Sequence, residues 1–175
     1  MNRFFTTKRL CRAGVIAALY AALTYAFTPF AFGPLQFRPA EALCILAVFF
    51  PEAVPALWIG CMLSNLASPY FVYDVLIGSL ATLLAAFASY MVGRFLQKEP
   101  FRFLLCGVFP VLFNTLLIPF IIVFLCGGGE EFSSQGVAYF SYVASIGLTE
   151  IVWVYFLGLP LYSAVKKLRA QSIRF

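Results

Sequence analysis

The 175 residues contain no histidine and little charge: 11% of side chains are charged, and only seven are acidic. Without histidine, the Ser-His and HExxH catalytic arrangements are excluded. No GxxxxGK[ST] phosphate loop occurs, so the chain cannot hydrolyse ATP by that route. Every lysine flanks an apolar run rather than lying within one, which removes a Ser-Lys dyad inside a membrane. The five cysteines, Cys11, Cys44, Cys61, Cys106 and Cys126, sit at no metal-ligand spacing. They read as small hydrophobes of packed helices, and no metal or cofactor is expected on this chain. The residues therefore do not point to an enzyme.

What the chain has in abundance is apolar surface. Hydrophobic residues make up 63% of it, 21 residues are Phe, and mean hydropathy is +0.95. A soluble domain of this size needs charge over most of its exterior, so the solvent for these side chains is lipid. The net charge of +5 lies in short runs flanking apolar segments. That is the pattern of membrane orientation, and no basic stripe is present to follow a nucleic acid.

Six apolar spans are expected, at roughly 13–32, 40–50, 52–68, 74–93, 103–125 and 137–165, in a single transmembrane domain over 1–175. The first follows basic residues, as a signal peptide does, but about 20 apolar residues suit a retained helix better. Arg3, Lys8, Arg9 and Arg12 precede the first span. Arg94, Lys98 and Arg102 lie between the fourth and fifth, and Lys166, Lys167, Arg169 and Arg174 close the chain. With six spans these groups share one side, leaving Arg38 opposite, so both termini are expected in the cytoplasm. The outer connections are then Gly33 to Pro39, Ala67 to Tyr73, and Cys126 to Gly136. Pro110, Pro119 and Pro160 fall inside the last two spans and are expected to kink them.

In lipid the informative residues are the polar ones at depth. They are Gln36, Arg38, Glu41, Asn65, Asp74, Asn114 and Glu150. Glu150 lies roughly 20 Å along the sixth helix, at 1.5 Å per residue. A carboxylate at that depth requires a partner, water or a proton, so it is a candidate ligand residue. Glu41 and Asp74 have a second reading, as acidic residues complementing helix starts. Asn65 and Asn114 have one as interhelical hydrogen-bond glue. Trp58, Tyr70, Phe71, Tyr73, Tyr139, Tyr142 and Trp153 lie near the acidic residues and suit a stacked planar ligand, or else an interfacial belt. The first span repeats small residues every fourth position, as Ala13, Ala17, Ala21 and as Gly14, Ala18, Ala22, Ala26. Such a face lets another helix approach closely, within this chain or on a separate subunit.

The octapeptide Gln36-Phe37-Arg38-Pro39-Ala40-Glu41-Ala42-Leu43 resembles the QFR-x-x-EAL signature of the QueT family. Gly60 to Asn65 leading to Asp74 through Thr82, and the fifth span with Asn114 and Pro119, are also similar to it. Members are substrate-binding (S) components of energy-coupling factor (ECF) transporters, assigned to precursors of queuosine. The resemblance implies an all-α S-component bundle of six membrane helices that captures a 7-deazaguanine from outside. Examples are 7-aminomethyl-7-deazaguanine, the cyano compound and queuine. It also implies partners, namely a transmembrane coupling protein and two ATPase subunits that hydrolyse the ATP. Docking to them falls on the first helix, at Ala13, Ala17, Ala21, Ala18 and Ala22. Substrate contacts are expected from Glu41 and Glu150, then Asp74, with Asn65, Asn114 and Gln36 as amide partners. Trp58, Tyr73 and Trp153 are the aromatic candidates, while Arg38 is expected to pair with Glu41 or shape its loop. A different class, a proton-coupled secondary transporter using Glu150 or Asp74, is the alternative, although no internal repeat supports it. A membrane hydrolase or assembly factor would predict no saturable ligand binding.

Overall fold

The computed structural model describes residues 6–32, 35–96, 98–99 and 101–172. Helix α1 (Thr7–Ala26) is continued by a short helical turn, Thr28–Ala31. A ten-residue 3-10 helix covers Pro39–Val48, and α2 covers Ala53–Asn65. Three long helices follow, α3 (Phe71–Phe95), α4 (Phe101–Leu125) and α5 (Gln135–Gln171). No strand occurs among the described residues.

Helices α3, α4 and α5 are long and apolar enough to cross a membrane, and the 3-10 helix and α2 are shorter apolar helices. Large apolar side chains point outward: Phe140 is 70% exposed, Phe156 74% and Val15 67%. In water so much apolar surface would aggregate; against lipid it is the ordinary exterior. The chain is an all-α polytopic membrane bundle.

The 3-10 helix is the centre of the bundle. All ten of its residues are buried, and it packs against each of α1 to α5. Pro39 opens it at a position where a missing N–H costs nothing. Small residues follow (Ala40, Ala42, Cys44, Ala47), so neighbouring helices approach from every side. At 2.0 Å per residue, ten residues reach about 20 Å, roughly 5 Å further than an α-helix of equal length. The shortest apolar run thereby covers more depth than its residue count suggests.

Close approach elsewhere also depends on small residues. A Cβ at Gly60 of α2 would lie 2.8 Å from the Ala17 carbonyl oxygen and 2.9 Å from Tyr20 Cβ of α1. Pro110 removes the donor that would bond the Cys106 carbonyl, and Ser89 Oγ of α3 donates to that carbonyl at 2.8 Å. The wider π turns at Ile121–Leu125 and Val152–Leu157 follow Pro119 and precede Pro160.

One end of the bundle gathers the basic segments. Arg12 of α1 pairs with Glu52 at 2.6 Å, and Lys166 of α5 with Glu99 at 3.4 Å. Arg102 donates to the Val48 carbonyl, and Arg169 to that of Phe49. Where hydropathy predicts a first span from residue 13, α1 starts at Thr7 and carries Lys8, Arg9 and Arg12 in its opening turns. Arg3, Arg174, Gly33 and Pro34 lie outside the described residues.

Candidate substrate-binding site

Entry to the 3-10 helix is built by residues 36–38. Gln36 has φ +46°, a left-handed conformation that is uncommon for a residue with a side chain. The Phe37 N–H donates to the Phe30 carbonyl, and its ring contacts Phe27, Phe30 and, edge-on with centroids 4.3 Å apart, Trp153 of α5. Arg38 Nε donates to the Ala31 carbonyl at 3.0 Å, and the guanidinium lies 4.8 Å from the Phe32 ring centroid. Among the described residues Arg38 forms no direct ion pair with Glu41.

Glu41 stands in the first turn of the 3-10 helix, fully buried. Its Oε1 accepts from the Tyr20 hydroxyl of α1, and Oε2 from the Cys44 thiol at 3.3 Å. The second bond follows from the 3-10 period, which places i and i+3 over one another. Across the bundle, Glu150 Oε1 accepts from Asn114 Nδ2 at 3.2 Å, joining α5 to α4. Glu150 lies within electrostatic reach of both Glu41 and Arg38. Arg38 in turn is within reach of Tyr20, Cys61, Asp74 and Glu41. One guanidinium thus serves three buried carboxylates, an arrangement that favours additional donors or positive charge from a ligand.

Asp74 begins a π segment, Asp74–Gly78, at the start of α3. Its Oδ2 accepts from Ser68 Oγ at 2.5 Å, and its main-chain carbonyl accepts from Asn65 Nδ2 at 2.7 Å. Asn65 thereby fixes the turn between α2 and α3, and Gly78 leaves space for its amide, which a Cβ would approach to 3.3 Å. Tyr70 lies beside this turn. Burial, then the neighbouring Cys126, Asp74 and Glu131, hold its phenol above the ordinary value, so it stays a neutral hydroxyl.

Seven buried polar atoms of these residues have no hydrogen-bond partner among the described residues: Gln36 Nε2 and Oε1, Arg38 Nη2, Asn65 Oδ1, Asp74 Oδ1, Glu150 Oε2 and Trp153 Nε1. Buried polar groups in native proteins are nearly always hydrogen-bonded, so so many orphans among six residues call for a common cause. Three are donors and four are acceptors. Ordered water or a polar solute presenting both kinds of group would satisfy them. Thr115 Oγ1, next in sequence to Asn114, likewise has no partner among the described residues.

Gln36, Arg38, Glu41, Asn65, Asp74, Asn114 and Glu150 are each no more than 3% exposed. Trp153 joins them through Phe37. Trp58, half-buried on α2, and Tyr73, 40% exposed at the start of α3, share no hydrogen bond or ring contact with the cluster among the described residues. Tyr20, Phe37 and Cys44 complete the arrangement; in the sequence Phe37 belongs to the octapeptide and Cys44 reads as a small hydrophobe, while Tyr20 is not singled out. Tyr20 had one signal, a hydroxyl midway along an alanine-rich helix, in a buried row with Ile16 and Thr24. On α1, Ala13, Ala17 and Ala21 are half-buried toward α2, while Ala18 and Ala22 are exposed. Two cavities, of about 500 and 590 Å³, lie at the basic end, and neither is lined by a residue of the polar cluster.

The family model described as QueT transporter matches residues 10–167, a range that contains the whole cluster. No curated protein and no solved structure matches the chain.

Proposed function

The chain belongs to the QueT transporter family, and from that premise we propose that it is the substrate-capturing membrane subunit of an ATP-driven importer of the ECF type. Its ligand is a queuosine precursor of the 7-deazaguanine class, taken from outside the cell. The observation that carries this reading is the set of seven orphaned donors and acceptors around Arg38, Glu41 and Glu150.

The chemistry of the ligand matches that set. A guanine-like edge offers N1–H and an exocyclic amine, two parallel donors that a carboxylate such as Glu150 accepts. The Gln36 amide and Asn65 Oδ1 supply complementary partners for the remaining edge, with Asn114 holding Glu150 in place. Trp153 and Phe37 provide aromatic surface for the ring. An aminomethyl group is cationic at neutral pH and would offset the excess of carboxylates, with Asp74 Oδ1 available to it.

In this reading the basic end faces the cytoplasm, following the positive-inside rule, and the polar cluster is reached from the opposite side. The chain performs no chemistry. Energy comes from a coupling protein and two ATPase subunits, which meet α1 along its exposed Gly14, Ala18 and Ala22. Ala13, Ala17 and Ala21, turned toward α2, form the edge of that face.

Uptake of labelled 7-aminomethyl-7-deazaguanine by cells carrying the chain tests the energy source. Loss of uptake on ATP depletion, with the membrane potential maintained, is the expected result. Loss with an uncoupler while ATP stays high would replace this reading with a proton-coupled transporter.

A further inference from the structure

The cavity of about 500 Å³ at the basic end is lined by no residue of the polar cluster and has a composition of its own. Three arginines line it, Arg9, Arg12 and Arg169, with Glu52 the single carboxylate. Its remaining wall is apolar, chiefly Phe49, Phe50 and Leu168. The lining comes from three separate segments, the start of α1, the turn before α2 and the end of α5.

The contacts that hold two of these guanidiniums are defined. Arg12 is fixed by the 2.6 Å pair with Glu52 and lies 4.2 Å from the Phe50 ring centroid. Arg169 Nη1 donates to the Phe49 carbonyl at 3.2 Å, and its guanidinium lies 5.7 Å from the Phe50 centroid. Arg169 has no carboxylate partner among the described residues. Behind the wall, Arg102 donates to the Val48 carbonyl and lies 5.7 Å from the Phe49 ring centroid, adding to the positive field. A planar guanidinium fixed by one contact still presents a fork of donors, the geometry that phosphate oxygens accept. The volume exceeds what a bare phosphate fills, and apolar walls beside arginines at a bundle end match a lipid headgroup with its glycerol.

We propose that this cavity is a phosphate-binding site, occupied by the headgroup phosphate of an anionic lipid or by a soluble phosphate. Its occupant ties α1, the Phe49–Glu52 turn and the end of α5 together at the membrane surface. This assignment stands on the membrane fold and is independent of the transported substrate.

The test uses the full chain, delipidated in non-ionic detergent and titrated with phosphatidylglycerol, phosphatidylcholine or inorganic phosphate. Native mass spectrometry reads bound lipid and calorimetry reads phosphate. One phosphatidylglycerol retained per chain, with phosphatidylcholine not retained, is expected. Displacement of that lipid by millimolar inorganic phosphate would assign the site to soluble phosphate, and no displacement would assign it to the lipid. Arg169→Gln should weaken retention about fivefold, and Arg9→Gln with Arg169→Gln more than tenfold, about one contact's worth per arginine. Arg94→Gln removes an exposed basic residue of the same end outside the cavity and should leave retention unchanged. Equal loss in Arg94→Gln would reduce the effect to bulk surface charge and overturn the site. So would equal retention of the two lipids, or binding of neither phosphate source.

Discussion

Glu150 carries two oxygens into the bundle and uses one of them within the chain. Asn114 donates to Oε1, and Oε2 has no partner among the described residues. Replacement by Gln preserves an acceptor for Asn114 but removes the charge that would hold ligand donors. Hydrogen bonds to charged groups contribute about 1.5–3 kcal/mol, so Glu150→Gln should weaken ligand binding roughly ten- to hundredfold. Its melting temperature should not fall, because a buried carboxylate with one free oxygen gains little from its charge. Calorimetry and a thermal melt on the same preparation check both halves, and wild-type affinity in the variant would remove Glu150 from the site. Tyr20→Phe acts in the opposite sense. It strips a donor from the fully buried Glu41, an omission that costs about 1–3 kcal/mol. A lowered melting temperature in detergent is expected, and an unchanged one would show that Glu41 finds another partner.

Much of the cluster is legible at this scale because lipid makes polar residues conspicuous. Gln36, Arg38, Glu41, Asn65, Asp74, Asn114 and Glu150 stand out against 63% hydrophobic composition, and all seven are buried in the structure. Tyr20 and Phe37 do not stand out. Aromatic residues are so frequent in this chain that hydropathy cannot separate those that point inward from those that meet lipid.

At the scale of elements, α1 and α2 touch through a surface with no space to spare. A Cβ at Gly60 would collide with main chain of α1 rather than with a flexible side chain. Gly60→Val should therefore separate the two helices and cost about 1–3 kcal/mol, read as a lower melting temperature. Retained stability would mean that α1 shifts freely, contrary to its tight packing here. The backbone type of each element is what sequence conceals. An apolar decapeptide opening on proline reads as a short α-helical span, yet Pro39–Val48 is a 3-10 helix. Hydropathy carries no information about whether a carbonyl bonds three, four or five residues on. That choice follows from neighbours on all sides and from the length to be covered. The π turns at Asp74–Gly78 and Val152–Leu157 are concealed for the same reason, although they contain Asp74 and Trp153.

For the whole molecule, the two ends differ in charge, and that difference predicts orientation. Cys11 is exposed on the first turns of α1, beside Arg9 and Arg12 at the basic end. A variant that keeps Cys11 as its single cysteine should react with a membrane-impermeant maleimide in inside-out vesicles and not in intact cells. Labelling of intact cells would invert the proposed topology and place the polar cluster on the wrong side for capture from outside.

The buried polar cluster is proposed as the site that binds a 7-deazaguanine, with every contact supplied by this one chain. Calorimetric titration of the purified, detergent-solubilised protein with 7-aminomethyl-7-deazaguanine tests it most directly, with guanine and riboflavin as controls. Saturable one-to-one binding of the deazaguanine without ATP or any partner, and none of riboflavin, is the predicted result. Folded protein that binds none of the deazaguanines would contradict the account, leaving the orphaned donors and acceptors to a different solute.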